Sequence, residues 1–150
     1  MIEFINKNKD RKICIIVSGD TGFYSLLSFL RKSYSREELN VIPGISSYQY
    51  LFSRIGEVWQ DYKLLSVHGR EAEYVEIFSK ERGIVLLTDN INTPYVIAKN
   101  IYEAGYRDVE IVVGERLSYP DEKITFINIE DYEKLNREFF INLMIVRKKS

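Results

Sequence analysis

The run Ile13-Cys14-Ile15-Ile16-Val17 constrains the fold more than any other stretch of this chain. Its apolar residues do not alternate with polar ones. A strand built from them has to be covered on both faces, as strands of a parallel sheet are. Gly19, Asp20, Thr21 and Gly22 follow, and then Phe23, Leu26, Leu27 and Leu30 are spaced like one face of a helix. Strand, turn and helix in that order form the carboxyl edge of an open α/β sheet, where ligands of such folds bind. A lone Ser-Gly-Asp also has a plainer use, because Gly and Asp turn the chain and cap helices at many junctions.

The remaining sequence continues the alternation. The spacing predicts a first helix over 22–33 and a short strand over 40–42, ended by Pro43-Gly44. Ser46 and Ser47 then open a helix with Tyr48, Leu51, Phe52 and Ile55 on one face, and Gly56 closes it. Residues 57–61 have no period and read as a hinge. Beyond them, strands are expected at 63–67, 84–87, 109–113, 124–129 and 139–146. Helices are expected at 72–80 and from Thr93-Pro94 to Gly105, with a short helix or turn at 131–135. Alternating strands and helices argue for an α/β fold, here in two lobes, 1–57 and 58–150.

Charge and cysteine content exclude several functions. The 21 basic and 22 acidic residues among 150 leave a net charge of −1, with no basic excess to neutralise a phosphate backbone. Nucleic acid is therefore not the expected partner. No apolar run approaches the ~18 residues that span a bilayer, and the polar first residues do not read as a signal peptide. The single cysteine, Cys14, is expected as a small buried hydrophobe, which suits a reducing cytoplasm. One His and one Cys give metal ligation little to work with, so no metal is expected.

Three strands end in small or polar residues that a ligand can approach: Ser18-Gly19-Asp20, Thr88-Asp89-Asn90 and Gly114-Glu115. Pro43-Gly44-Ile45-Ser46-Ser47 brings a helix N-terminus to the same edge, and its free N–H groups suit a carboxylate or a phosphate. Asp20 can accept from hydroxyls or an ammonium, and Phe23 can give apolar cover. The competing reading makes all of these turns and caps. His68 is either a structural histidine or an acid or base working near neutral pH. Arg70 and Arg116 are either solvated side chains or forks for a polycarboxylate.

Taken together, SGDTGFYSLLSFL, VIPGISSYQYLFSRIGEVWQDYKLLSVHGR and GERLSYPDEKI resemble, in this order, the tetrapyrrole methylase superfamily. The likeness runs over about residues 13–146. It is closest to the branch that methylates C5 of a cobalt-precorrin in cobalamin biosynthesis. PGISS, WQD and SVHGR in combination carry the likeness; SGD alone does not. The resemblance implies a two-lobed fold that binds S-adenosylmethionine between its lobes. It assigns Ser18, Gly19, Asp20, Phe23, Ser46, Ser47, Thr88, Gly114 and Glu115 to the cofactor. It further implies Arg70 and Arg116 on substrate carboxylates, and His68 as a substrate-side or proton-handling residue. A homodimer is expected, with decarboxylation left to a separate C15-methylating partner. Thr21 stands where the family has Pro. The family's N-terminal glycine-rich turn does not occur in this sequence, so a truncated N-terminal lobe is expected. Alternatives are a diphthine synthase or ribosomal-RNA ribose methylase of the same superfamily, or a non-catalytic assembly module.

Overall fold

The computed structural model describes residues 1–67 and 73–149. They divide into two compact units, Met1–Ser46 and Ser47–Ser150. The division precedes the expected 57/58 boundary for a visible reason. Helix α3 (Ser47–Ile55) is built into the second unit, with Phe52 edge-on to Tyr62, ring centroids 4.8 Å apart.

The second unit is organised by one five-stranded sheet. Its strands are β1 (Tyr62–Ser66), β2 (Gly83–Leu87), β3 (Val109–Glu115), β4 (Lys123–Asn128) and β5 (Asn142–Lys148), in the spatial order β1-β2-β5-β3-β4. β1 and β2 are parallel, whereas β5 runs antiparallel to both β2 and β3. β2 is a continuous apolar run, and β3 and β5 carry apolar runs at 111–113 and 143–146, as strands covered on both faces must. Ile84, Leu86, Ile111, Val113, Met144 and Val146 join Phe78 of α4 (Tyr74–Lys80) and Ile97, Ala98 and Ile101 of α5 (Pro94–Glu103) in one core. On the other face, Gly114 lets α3 come close. A Cβ there would sit 3.0 Å from the Leu51 side chain and 2.9 Å from Leu117.

Most elements of this unit fall near where their patterns predict; the last strand, expected over 139–146, is Asn142–Lys148, because Phe140 and Ile141 stand exposed in the loop ahead of it. Thr93 caps α5 by accepting from the Val96 amide at 3.3 Å, Pro94 occupies its first turn, and Gly105 follows its end at φ +95°. The expected turn at 131–135 is a 3-10 helix, Ile129–Leu135.

The first unit departs from expectation. Residues 13–17 and 40–42 form no strand and pair in no sheet, and the helix expected over 22–33 is reduced to α2 (Leu27–Leu30). A further short helix, α1, spans Ile2–Lys7. Ile16 is 91% exposed, and Cys14 is exposed rather than buried. The physical reason is a shortage of neighbours. An unalternating strand needs a partner on each side and cover on each face, and among the described residues of this unit none supplies them. A short helix rarely persists in water without a packed face, and here only Leu30 is buried in α2.

Candidate functional site

In the first unit the Ser18–Gly22 turn and the Ile42–Ser46 segment run side by side. Asp20 ties them together. Its Oδ1 accepts from the Gly22 amide at 2.8 Å and its Oδ2 accepts from the Gly44 amide at 3.2 Å. The Thr21 hydroxyl adds a long bond to the Ile42 carbonyl at 3.4 Å. Gly44 is required where it stands, since a Cβ there would lie 2.3 Å from the Gly19 carbonyl oxygen. Gly19 itself takes φ +72°, a conformation that glycine adopts without strain. Ser18 and Gly19 are exposed, Asp20 and Phe23 half-buried, and Ser46 buried. Phe23 lies edge-on to Tyr24 with centroids 5.0 Å apart. Ser47 is the first residue of α3.

In the second unit the antiparallel placement of β5 sends the carboxyl ends of β1, β2 and β3 to one edge of the sheet. Thr88 and the Gly114-Glu115 pair lie there, as the sequence predicts. The side chains are already engaged. The Thr88 hydroxyl donates to Asn142 Oδ1 at 2.7 Å. The Glu115 carboxylate is 5% exposed and receives both terminal nitrogens of Arg137, at 3.0 and 2.5 Å. Glu115 holds the Arg137 guanidinium above the ordinary arginine range, while partial burial works against it. Arg116 follows at φ +47° and pairs through Nε with Asp121 at 2.6 Å. That bond holds the Asp121 carboxyl below its usual range. The loop is closed by Glu122, which accepts from the Ser118 amide at 2.7 Å and from Arg54 Nε at 2.8 Å. His68 and Arg70 lie outside the described residues.

Sequence reasoning missed Arg137 and Asn142. A signal for Arg137 existed: Glu115 follows the uncharged run 111–114, and a carboxylate ending such a run has to find a positive partner once buried. Asn142, the polar residue that opens the apolar run 143–146, gave a weaker one.

The opposite edge of the sheet has another character. A cavity of about 500 Å³ there is lined by Tyr62, Arg82, Glu57, Glu110 and Arg147 among others. Arg147 pairs with both Glu57 and Glu110, so those charges satisfy one another. Among the described residues no group of three or more His, Cys, Asp or Glu is placed to hold a metal ion, and no helix is long and apolar enough to cross a membrane.

Comparison with known proteins gives a consistent picture. A family profile described as Tetrapyrrole (Corrin/Porphyrin) Methylases matches residues 2–133. The cobalt-precorrin-7 C(5)-methyltransferase of Salmonella typhimurium is 27% identical over 146 residues, covering 97% of this chain and 71% of the relative. A probable cobalt-precorrin-7 C(5)-methyltransferase of Methanocaldococcus jannaschii is 30% identical over 132 residues, 84% of this chain and 61% of the relative. The crystal structure of a cobalamin-biosynthesis precorrin-6Y methylase from Archaeoglobus fulgidus superposes with a TM-score of 0.71 at 20% identity, covering 99% of this chain and 69% of that one.

Proposed function

We infer the reaction from one premise: the chain belongs to the tetrapyrrole (corrin/porphyrin) methylase family. The reading is S-adenosylmethionine-dependent methyl transfer to ring carbon C5 of a cobalt-precorrin, a step of cobalamin biosynthesis. One observation carries it, the likeness to the Salmonella enzyme across 97% of the chain.

The residues present fit the cofactor in chemistry. The Ser18–Gly22 turn exposes backbone beside a carboxylate, and the Ser46-Ser47 pair opens a helix of nine residues. We assign Ser18, Gly19, Asp20 and Phe23, with Ser46 and Ser47, to holding it. Asp20 keeps the turn in shape through the Gly22 and Gly44 amides. Thr88 and Gly114-Glu115 are assigned to it as well. The Glu115 carboxylate is spent on Arg137, so its role beside the cofactor is to fix the end of β3. When bound, S-adenosylmethionine supplies a methyl group already activated by its positively charged sulfur. The protein's task is then orientation and exclusion of water rather than strong base catalysis, and orientation is worth about 7–11 kcal/mol in favourable cases. Arg116 and Arg70 are assigned to substrate carboxylates and His68 to the substrate side.

The net charge of −1 argues against an RNA substrate. The proposal includes a homodimer in the cytoplasm and a separate partner for decarboxylation and C15 methylation. The test is incubation of the purified chain with methyl-labelled S-adenosylmethionine and its cobalt-precorrin substrate. The expected product carries one labelled methyl at C5, read by carbon NMR. A protein that binds S-adenosylhomocysteine yet labels no corrin would overturn the substrate, and one that binds no S-adenosylhomocysteine at millimolar concentration would overturn methyl transfer itself.

A further inference from the structure

The loop that leads into β5 is fastened at three points. At its start, Arg137 is locked onto buried Glu115 and its guanidinium lies 3.9 Å from the Phe139 ring centroid. Near its end, the Arg116 amide donates to the Ile141 carbonyl at 3.0 Å. Asn142 then donates from Nδ2 to the Phe140 carbonyl at 2.8 Å while its Oδ1 accepts from Thr88. A loop held this firmly still leaves Phe140 70% and Ile141 71% exposed. The bonds fix the backbone so that two large apolar side chains stand in water.

Arg116 lies beside them. Its guanidinium carbon is 4.7 Å from the Tyr119 ring centroid and 5.8 Å from that of Phe140. Asp121 anchors its Nε. The two terminal nitrogens, the end of the fork that meets carboxylates in pairs, have no partner among the described residues. Tyr119 is itself half-exposed. The cluster stands at the carboxyl edge of β3, where ligands of α/β sheets bind.

We propose that Phe140 and Ile141, with Tyr119, form an apolar seat for one face of the substrate's tetrapyrrole ring, and that the free end of Arg116 holds a carboxylate at the ring's rim. The proposal rests on the functional reading above. Its occupant is a flat, largely apolar macrocycle edged with carboxylates, which this group of side chains complements in both polarity and charge.

Calorimetric titration tests it with dicyanocobyrinic acid, a stable corrin with free carboxylates, and with dicyanocobinamide, whose carboxylates are amidated. The wild-type protein is expected to prefer the acid, and Arg116→Gln to remove the preference. Phe140→Ser should weaken binding of the acid by about tenfold, since it withdraws an aromatic face from the ligand. Phe140→Trp should restore it. The affinity for S-adenosylhomocysteine should be unchanged in Phe140→Ser and the thermal midpoint should move little, because the ring is largely exposed and touches the chain at the Arg116 guanidinium. Equal binding of the acid by wild type and Phe140→Ser, with methyl transfer to C5 intact, would overturn the seat and leave the functional reading standing. A wild type that neither binds a corrin nor transfers methyl would overturn both. Loss of a dimer in sedimentation by Phe140→Ser, with corrin affinity unchanged, would reassign the face to contact between copies of the chain.

Discussion

Two stretches of nearly the same composition meet opposite fates in this chain. Gly83-Ile84-Val85-Leu86-Leu87 is the second strand of the sheet, with β1 on one side and β5 on the other, and Ile84 and Leu86 are fully buried. Ile13-Cys14-Ile15-Ile16-Val17 is irregular chain that joins no sheet and leaves Ile16 in water. The difference lies in what surrounds each run. Burial of a strand is a property of its neighbours, and side-chain hydrophobicity only sets what burial is worth once the neighbours are present. The second unit is therefore held by packing. In the first, Asp20, Gly44 and Gly19 hold two loops together by hydrogen bonds and close backbone approach.

The contrast breaks or sharpens under substitution. Phe78→Ala in the core of the second unit should cost about 3–5 kcal/mol in urea denaturation, whereas Ile16→Ala should stay within about 0.5 kcal/mol. Similar costs at the two sites would end the distinction. Arg137→Met strands the buried Glu115 carboxylate and is expected to cost about 2 kcal/mol, below the full cost for a buried pair because Arg137 is 35% exposed. Gly44→Ala forces a Cβ into the Gly19 carbonyl. It should speed hydrogen exchange of the Gly22 and Gly44 amides and weaken S-adenosylhomocysteine binding, with an overpacking cost of about 1–3 kcal/mol and little change in the second unit's unfolding midpoint. An unchanged exchange rate would show that the loops are not held as described.

The smallest expected effect is on pH dependence. Hydrogen bonding from Ser118, then from Tyr50 and Arg54, keeps the Glu122 carboxyl below the ordinary value of 4.5, against a rise from burial. A carboxyl depressed in the folded state stabilises it above the unfolded-state value and loses that contribution as pH falls through the folded value. Thermal midpoints of the wild type should thus decline as pH falls below about 4.5, and Glu122→Gln should flatten part of that decline. An identical acid limb in both proteins would remove Glu122 from the account.

The second unit was legible because its signals are local. Thr93-Pro94 and Gly105 bracket α5, and the continuous run 84–87 needs only to be buried to be a strand. The pairing was not legible: nothing in residues 142–148 says that they lie between β2 and β3. The first unit departs from its pattern because a local apolar run carries no information on whether its partners are present. The site was half visible. The Ser-Gly-Asp turn and the helix at Ser47 could be found by their chemistry, but the hydrogen bond from Gly44 to Asp20 joins residues far apart in sequence. Equally, Arg116 could be singled out as a fork, while the aromatic rings around it could be found only from the fold.

The central position of β5 also sets the order in which the protein can assemble. β2 and β3 share no hydrogen bonds with each other; each bonds to β5, which follows both in the chain. During synthesis the β1-β2 pair and the β3-β4 hairpin can each form early. They must then wait, with apolar edges open, until residues 142–148 have left the ribosome. Closure of the sheet is a late, long-range event, and a slow folding phase and a window of vulnerability to aggregation follow from it.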